Sequence, residues 1–510
     1  MKEAVSSTDR IIDELQGSLR TLLRGGGLSM GGVILRRIFA VVYVFVLTAY
    51  LGADGYGAYM LLFGAVTIMT VTATMGLGEG TMRFVAQFRA GGRTDQVRGM
   101  VRAATGLGLA SSVVVALAGW TLADPIASRV FHQPALAGLL RWMSLAVPAS
   151  VLGVLWLHGT KGFKRMEETV WISNLFEPAA RIGLFLVLVL GGYGLGAAVG
   201  SHIVAVVASA ALAGFALRRL TGPGRGPVEP GQTSALIKFS APLLGVGMLG
   251  VIMGWTDTLM LGYFTGMAQV GVYNVALRVA ALCGMVHFAF NSIFTPIIAD
   301  QMQRGERESL GQLFKIDTRW VFTLTLPIFI LVVLFSRDIL AFFGSEFTQG
   351  GLALVVLSAA TFFVSSTGSS GSMIHMAGWT RLSFVNMCII SGLNVLLNLL
   401  LIPRFGILGA AIGTGTSLIM GNALYLGQVW WYLKISPYDR KWVKPLVAGL
   451  AAGLVVAVMQ RWALGASPAW NMAFSTGAFG LCYVGLLLVL QLEREDQLMI
   501  RLVRERIFRV

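Results

Sequence analysis

Seven polar residues lie inside otherwise apolar stretches of this sequence, and they are the first candidates for chemistry. They comprise four arginines, two acids and one amide: Arg36, Arg37, Arg181, Arg278, Glu177, Asp257 and Asn274. If these stretches cross a bilayer, an ionisable side chain costs at least about 2.5–3.5 kcal/mol there, so each is expected to face a cavity or a partner. A guanidinium binds phosphate oxygens through two parallel hydrogen bonds, so the arginines, with Asn274 one turn from Arg278, predict a path for an anionic substrate.

Several of these residues have a structural interpretation beside the functional one. Glu177 and Arg181 are one helical turn apart and could simply form a buried ion pair. Arg36 and Arg37 lie in the first third of the first apolar run, from which long side chains can reach the inner headgroups. Both interpretations remain open at the level of the sequence.

The remaining candidates differ in their surroundings. Asp257 could couple transport to protons or sodium, as could Glu177, or Asp257 could pair with an arginine on another helix. No acidic residue occurs within two turns of Arg278 in the sequence, which favours a role in ligand binding. His202 and His287 also lie inside apolar runs and could titrate, although a buried core role is the usual one for such residues.

The composition indicates where these residues sit. The 510 residues are 56% hydrophobic and only 12% charged, with a mean hydropathy of +0.75. Soluble domains contain roughly 25% charged residues. Apolar runs of about 20 residues, each long enough to cross the hydrocarbon core, recur along almost the whole chain. The sequence therefore predicts an all-α, polytopic membrane protein with about 14 transmembrane helices.

The charge distribution predicts the topology. The net charge of +15 would be compatible with nucleic-acid binding, but most lysines and arginines fall in alternate connecting segments. The positive-inside rule places those segments, and both termini, in the cytosol. There the positive charge faces anionic lipid headgroups, so membrane lipids are expected partners and nucleic acid is not.

Similar segments recur about 214 residues apart. GYGAY at 55–59 resembles QVGVY at 269–273, and GAAVG at 196–200 resembles GAAIG at 409–413. Six helices separate equivalent positions, so the sequence predicts two bundles related by a pseudo-two-fold axis along the membrane normal. The predicted domains are a cytosolic amphipathic segment (1–27), a six-helix bundle (28–220), a Gly- and Pro-rich linker (221–233) that is flexible or extended, a second six-helix bundle (234–430), two additional transmembrane helices (431–491) and a basic cytosolic tail (492–510).

Enzymatic signatures are poorly represented. The sequence contains no G-x-x-x-x-G-K-[ST] phosphate loop and no H-E-x-x-H metal motif. The segments predicted to face outward are short and carry few acid–base groups. We therefore predict a protein that is not an enzyme, with no catalytic residues, no cofactor and no metal site.

Three segments carry a resemblance to a known family. YLGADGYGAY (50–59), FSAPLLGVGMLGVIMGWTDTLMLGYFTG (239–266) and NLLLIPRFGILGAAIGTGTS (398–417) resemble Wzx-type polysaccharide and oligosaccharide flippases of the multidrug/oligosaccharidyl-lipid/polysaccharide (MOP) exporter superfamily.

This resemblance implies a fold and a function. It implies fourteen spans, with two six-helix bundles that form a V and work by alternating access. The implied substrate is an undecaprenyl-pyrophosphate-linked glycan that moves from the inner to the outer leaflet of a bacterial inner (plasma) membrane. Polysaccharide assembly machinery is a further implied partner. Flippases of this kind have basic residues in their cavity, and the four arginines are the candidates here, although no local motif transfers the role to each one.

Three other functions remain open from the sequence. A lipid II-type flippase needs similar cationic sites and differs in the headgroup that it carries. A multidrug or cation antiporter of the same superfamily should have a cavity dominated by carboxylates and aromatics, and the intramembrane arginines count against it. A non-transporting membrane subunit of a glycan synthase complex would not need those arginines.

Overall fold

The computed structural model describes residues 27–224, 226–462 and 468–490. All regular secondary structure in these ranges is helical, and they contain no β-strand. The predicted all-α class is therefore confirmed. The predicted amphipathic N-terminal segment, apart from Gly27, and the predicted basic tail lie outside the described residues.

Seventeen helices provide the framework of the described chain. Those up to the predicted linker are α1 (Gly27–Thr74), α2 (Leu77–Ala90), α3 (Thr94–Thr121), α4 (Leu136–Ser144), α5 (Val147–Gly162), α6 (Glu177–Leu190) and α7 (Gly194–Thr221). Those after it are α8 (Gln232–Phe264), α9 (Met267–Cys283), α10 (Met285–Arg304), α11 (Arg307–Leu334), α12 (Ser336–Ala341), α13 (Gly351–Ser366), α14 (Ser370–Met376), α15 (Thr380–Gln428), α16 (Val443–Trp462) and α17 (Pro468–Val489).

Shorter helical segments connect or extend these helices. The three-residue turns Ala123–Pro125 and Glu167–Thr169 run into π-helical turns at Ile126–Val130 and Val170–Phe176, and a further π-helical turn, Val429–Leu433, follows α15. Two 3₁₀ turns occupy Ser345–Gly350 and Arg440–Trp442.

Twelve helical stretches in the described ranges, counted with α4 and α5 joined and with α15 divided at Gly406, are long and apolar enough to cross a membrane. The number is 13 if the pair α9 and α10, bent by 46°, is one span. The apolar part of α1, Leu35–Thr74, has 40 residues. At 1.5 Å per residue this is about 60 Å, roughly twice the thickness of a hydrocarbon core. Gly52, with φ 66° and ψ −172°, interrupts α1. The protein is thus a multi-pass membrane protein, and fourteen spans remains a prediction.

Glycines with left-handed backbone geometry recur at the spacing of the predicted repeat. Gly52 (φ 66°) and Gly266 (φ 114°) are 214 residues apart, as are Gly192 (φ 84°) and Gly406 (φ 53°). A positive φ favours glycine because the other residues carry a Cβ atom. The requirement for a positive φ therefore occurs at equivalent positions of both predicted copies, which supports a repeat. The symmetry of two bundles stays a prediction.

The repeated motifs also pack against each other. A Cβ atom on Gly57 of α1 would lie 2.7 Å from the carbonyl carbon of Met267 and 2.9 Å from the amide nitrogen of Gly271, both on α9. Reciprocally, a Cβ atom on Gly271 would lie 3.0 Å from the carbonyl carbon of Ala53 on α1. Small residues allow helix backbones to approach this closely in lipid, where packing drives helix association.

The chain forms two compact units. The first comprises Leu28–Asn274 and Asn398–Ala410, and the second comprises Val275–Leu397 and the described residues that follow Ala410. In the second unit, α16 and α17 pack against α11 through an apolar cluster around Phe335, Ala452 and Phe479.

The predicted linker is held against the first unit. The described residues between α7 and α8, 222–224 and 226–231, contain no regular helix. The Gln96 amide donates to both carboxylate oxygens of Glu229 at 3.0 and 2.8 Å, and Arg98 Nε donates to the Thr221 carbonyl at 2.9 Å. These described residues of the segment therefore lie along the N-terminal turn of α3, and its character as a flexible or extended linker stays a prediction.

Candidate functional site

A cavity of about 230 Å³ lies inside the first unit, between α1, α5, α6 with its preceding π-helical turn, and α7. At about 30 Å³ per molecule, it could hold the volume of seven or eight waters. Aliphatic side chains and Phe63 form most of its wall. The ionisable or otherwise polar residues of the wall are Thr67, Thr70, Ser150, Ser173, Glu177, Arg181, His202 and Ser209.

An ion pair on α6 gives the cavity its charges. Arg181 Nη2 donates to Glu177 Oε1 at 2.5 Å across one helical turn. The two side chains are 15% and 26% exposed, so water screens the pair only in part. Helix α6 begins at Glu177, directly after the π-helical turn, and carries Pro178 in its first turn. The predicted proximity of the two residues is confirmed.

Aromatic rings from α1 also contact the arginine. The Arg181 guanidinium carbon lies 5.7 Å from the centroid of the Tyr43 ring and 5.9 Å from that of Phe63. At these distances the electron-rich ring faces attract the cation. The Tyr43 hydroxyl in turn donates to the Tyr59 hydroxyl at 3.2 Å. The cation is thereby oriented by two helices, α6 and α1.

Three buried polar atoms at the cavity have no hydrogen-bond partner among the described residues. They are Arg181 Nε, His202 Nδ1 and Ser209 Oγ. His202 is only 4% exposed and Ser209 only 6%. Because buried polar atoms nearly always have a partner, three orphaned atoms around one cavity indicate a place that binds a polar group.

Asp257 and Asn274 belong to a different polar network of the first unit. The buried Asp257 carboxylate accepts from the Thr258 amide at 2.8 Å and from the Tyr273 hydroxyl. The Asn274 amide donates to the Val270 carbonyl at 3.0 Å and to Thr258 Oγ1 at 3.2 Å. These bonds connect α8 and α9, and neither Asp257 nor Asn274 is among the described residues that line the cavity.

This network repeats a contact beside the cavity. Tyr59 and Tyr273 are 214 residues apart, and each is hydrogen-bonded to the residue 16 positions earlier, Tyr43 or Asp257. The position of Tyr43 in the first copy is thus occupied by Asp257 in the second, so a neutral phenol in one copy corresponds to a carboxyl in the other. Asp257 therefore has the chemistry for binding a cation or proton, and its assignment to coupling stays a prediction.

The other predicted arginines lie elsewhere in the fold. Arg36 is exposed and Arg37 half-buried near the start of α1, while Arg278 is half-buried on the part of α9 that belongs to the second unit. Of the described residues that line the cavity, Arg181 is the only arginine. The substrate-binding roles of Arg36, Arg37 and Arg278 remain predictions.

Two residues of the site were not predicted as functional. His202 is buried, as expected for a core histidine, but its Nδ1 atom is one of the orphaned atoms at the cavity. Ser209 carries no signal as a single residue. Residues 202, 206 and 209 follow helical spacing and all line the cavity from α7, so this periodicity could have identified the face.

A further buried acid lies in the second unit. The Asp317 carboxylate accepts from the Ser369 amide at 3.1 Å and from the Ser369 hydroxyl at 2.7 Å. Ser369 precedes α14, so Asp317 satisfies a free backbone donor at the start of that helix. The hydrophobic run of α11 begins after Asp317, which is why hydropathy alone does not place this residue inside the protein.

A set of long apolar helices around a half-buried ion pair and a small, mostly apolar cavity is typical of a membrane transporter. The family model of polysaccharide biosynthesis proteins (Polysacc_synt) matches residues 22–302, which is more than half of the chain, and the chain belongs to that family. A second model, MatE, matches residues 242–400. The predicted membership in the MOP superfamily is confirmed.

Individual relatives agree with this assignment. The chain is 24% identical over 381 residues to the "probable low-salt glycan biosynthesis flippase Agl15" of Haloferax volcanii, covering 74% of this chain and 76% of the relative. It is 22% identical over 496 residues to the lipid II flippase MurJ of Bacillus subtilis, covering 87% and 89%.

A solved structure shows the same fold. A lipid II flippase MurJ in an inward closed conformation superposes with a TM-score of 0.72 at 13% sequence identity, covering 89% of this chain and 96% of the other. The relatives named here are flippases rather than enzymes.

Proposed function

We propose that the protein is a flippase that moves a lipid-linked oligosaccharide from the cytosolic to the outer leaflet by alternating access, for cell-surface or exported polysaccharide. Its carrier would be undecaprenyl pyrophosphate, and its location a bacterial plasma membrane with both termini in the cytosol. The observation that carries the proposal is the Arg181 guanidinium, which lines this cavity in a chain of the polysaccharide family and whose Nε donor has no partner among the described residues.

The chemistry of the cavity fits a phosphate group. A pyrophosphate carries at least two negative charges, and arginine is the side chain best shaped to bind phosphate oxygens. A cavity of about 230 Å³ accommodates a phosphate group but no oligosaccharide. The glycan must therefore lie outside this cavity, where its hydroxyl groups keep hydrogen-bonding partners.

The remaining candidate residues complete the proposed path. Arg36, Arg37 and Arg278, with Asn274 near the last, would provide further contacts for the pyrophosphate as it crosses the membrane. Asp257 would couple transport to an ion. Assembly machinery that delivers or consumes the glycan would be a further partner.

A lipid II flippase is the second candidate, because the relative and the solved structure described above are lipid II flippases matched over most of this chain. Lipid II presents the same pyrophosphate chemistry, so Arg181 would serve both substrates. The two functions differ only in the headgroup.

The test is leaflet transfer in proteoliposomes. Labelled polyprenyl-pyrophosphate oligosaccharide and labelled lipid II are offered separately to the wild type and to the Arg181→Ala and Arg278→Ala variants. Arg304→Ala is the matched control, because Arg304 forms a half-exposed ion pair with Asp300 and does not line the cavity. We expect transfer by the wild type and the control, and loss of transfer in the other two variants while they stay folded.

Other outcomes would overturn the proposal. Absence of wild-type transfer for both lipids under every ion gradient would favour a non-transporting subunit of a glycan synthase. Export of organic cations by a protein that ignores both lipids would favour a multidrug antiporter. Transfer of lipid II alone would replace the first candidate with the second.

A further inference from the structure

Two arginines at the exposed side of α2 stack on phenylalanine rings. The Arg83 guanidinium carbon lies 4.3 Å from the centroid of the Phe239 ring and 5.8 Å from that of Phe84. The guanidinium carbon of Arg93, in the turn after α2, lies 5.0 Å from the centroid of the Phe88 ring. At these distances a ring attracts the cation, so the rings restrict where each guanidinium can lie.

The rings themselves form a continuous row. Phe84 and Phe88 are one turn apart on α2, and their centroids lie 6.1 Å apart with the ring planes 26° from parallel. Phe239, near the start of α8, meets Phe84 edge-on with the centroids 5.9 Å apart. The three rings are half-buried and both arginines are exposed. These five residues are called the arginine–phenylalanine surface below.

The positive charge of this surface is not balanced by the described chain. Neither of its two arginines pairs with a carboxylate among the residues that the structure describes, and the same holds for Arg89, a third exposed arginine of α2. The acids of this segment have other partners. Glu79 lies 3.4 Å from His158 Nε2, and Asp95 accepts from Arg98 at 3.2 Å. The surface therefore has charge available for an external anion.

The surface lies where helices long enough to cross the membrane end or begin. A Cβ atom on Gly162, the last residue of α5, would lie 2.8 Å from Val85 Cγ1 of α2. A Cβ atom on Gly80 of α2 would lie 2.7 Å from Leu236 Cδ1, near the start of α8. The positive-inside rule places these helix ends at the cytosolic leaflet. Cations beside half-buried rings suit the boundary between lipid headgroups and acyl chains.

We propose that the arginine–phenylalanine surface binds the phosphate of anionic phospholipid headgroups in the inner leaflet. A guanidinium that stacks on a ring keeps its N–H donors in its own plane, where they bind phosphate oxygens in parallel pairs. The bilayer is the source of the lipid, because the surface is exposed and open, unlike the cavity that lies inside the first unit. The inference is independent of the proposed function, since neither arginine lines that cavity.

The test compares two headgroups on the same acyl chains. The full-length protein in neutral detergent is titrated with short-chain phosphatidylglycerol and separately with the matching phosphatidylcholine, and binding is followed by thermophoresis. We expect the wild type to prefer phosphatidylglycerol and the Arg83→Gln/Arg93→Gln variant to lose that preference. Each arginine near anionic lipid contributes about fivefold in affinity, so the double variant should bind phosphatidylglycerol roughly 25-fold more weakly.

Two further variants separate stacking from charge. Arg102→Gln/Arg218→Gln is the matched control, because both arginines are exposed and neither contacts an aromatic ring among the described residues. It removes the same charge and should retain the preference for phosphatidylglycerol; an equal loss there would overturn the proposal. Arg83→Lys/Arg93→Lys keeps the charge without the planar group, so it should bind more weakly than the wild type. Binding equal to the wild type would exclude a role for the stacked guanidinium groups.

A measurement on the wild type alone covers variants that do not fold. Phosphatidylglycerol with a photoreactive headgroup is cross-linked to the protein in proteoliposomes, and the adducts are mapped by mass spectrometry. We expect adducts within 82–93 or 238–240. Adducts confined to other segments would overturn the proposal.

Geranyl pyrophosphate distinguishes the bilayer lipid from a lipid carrier. Binding of geranyl pyrophosphate that depends on Arg83 and Arg93, without binding of phosphatidylglycerol, would overturn the proposal in favour of the carrier. A wild type that transfers glycan but shows no preference for phosphatidylglycerol would refute this inference and leave the proposed function intact. A preference that the double variant loses, in a protein that transfers no glycan, would do the reverse.

Discussion

Replacing Gly57 with alanine should separate α1 from α9. The new methyl carbon would lie 2.7 Å from the carbonyl carbon of Met267, whereas carbon atoms in contact are about 3.5–4.0 Å apart. Because the Met267 carbonyl oxygen would lie closer still, the two backbones must move apart by at least about 1 Å. Overpacking of this kind costs roughly 1–3 kcal/mol.

The control isolates the effect of alanine on the helix itself. Gly106 lies within α3, and a Cβ atom there would meet no heavy atom within 4 Å. Alanine stabilises an unobstructed helix interior by up to about 1 kcal/mol relative to glycine. Gly57→Ala should therefore be less stable than Gly106→Ala by roughly 1–3 kcal/mol.

The assay is unfolding in mixed micelles of increasing SDS content, followed by tryptophan fluorescence. A double variant with Gly271→Ala gives a second readout. Because the first methyl has already separated the helices, the second should cost less in Gly57→Ala than in the wild type. Two results would refute the close backbone crossing. One is a Gly57→Ala variant as stable as Gly106→Ala, and the other is a double variant whose loss of stability equals the sum of the losses from Gly57→Ala and Gly271→Ala.

Three further changes test other contacts. Asp317→Ala should lower the free energy of unfolding by about 1–3 kcal/mol, because it leaves a buried backbone donor unpaired; unchanged stability in the same SDS titration would contradict this. Tyr273→Phe should destabilise the protein by a similar amount, because it removes a donor from the buried Asp257 carboxylate. Adding Asp257→Asn to this variant should restore stability, and a double variant as unstable as Tyr273→Phe would argue against that hydrogen bond. Glu229→Ala should speed proteolysis within 222–231 several-fold by releasing the linker from Gln96, and an unchanged cleavage rate would show that this bond does not hold it.

The parts of the site that could be predicted are those set by local sequence. Glu177 and Arg181 are four residues apart on one helix, so their pairing follows from helix geometry alone. The helical class likewise follows from apolar runs whose length matches a bilayer. Neither inference needs knowledge of which helices are neighbours.

The cavity could not be predicted because it depends on long-range packing. Phe63 lines the cavity from α1, which is distant from Arg181 in sequence, and only the packing of α1 against α6 and α7 brings the two residues together. The repeat shows the same limit. The similarity of 55–59 and 269–273 was visible in the sequence, but the direct contact between Gly57 and Gly271 was not.

The π-helical turn before α6 makes the cavity sensitive to chain length. A π-turn contains one more residue per hydrogen-bonded loop than an α-turn, so it is equivalent to one residue inserted into a regular helix. Ser173, within the turn Val170–Phe176, and Glu177, just after it, both line the cavity. Loss of a single codon in this turn would convert it into a regular α-helical turn and change which of its residues face the cavity. Coding sequences in this lineage should therefore tolerate substitutions at these seven positions more readily than in-frame deletions.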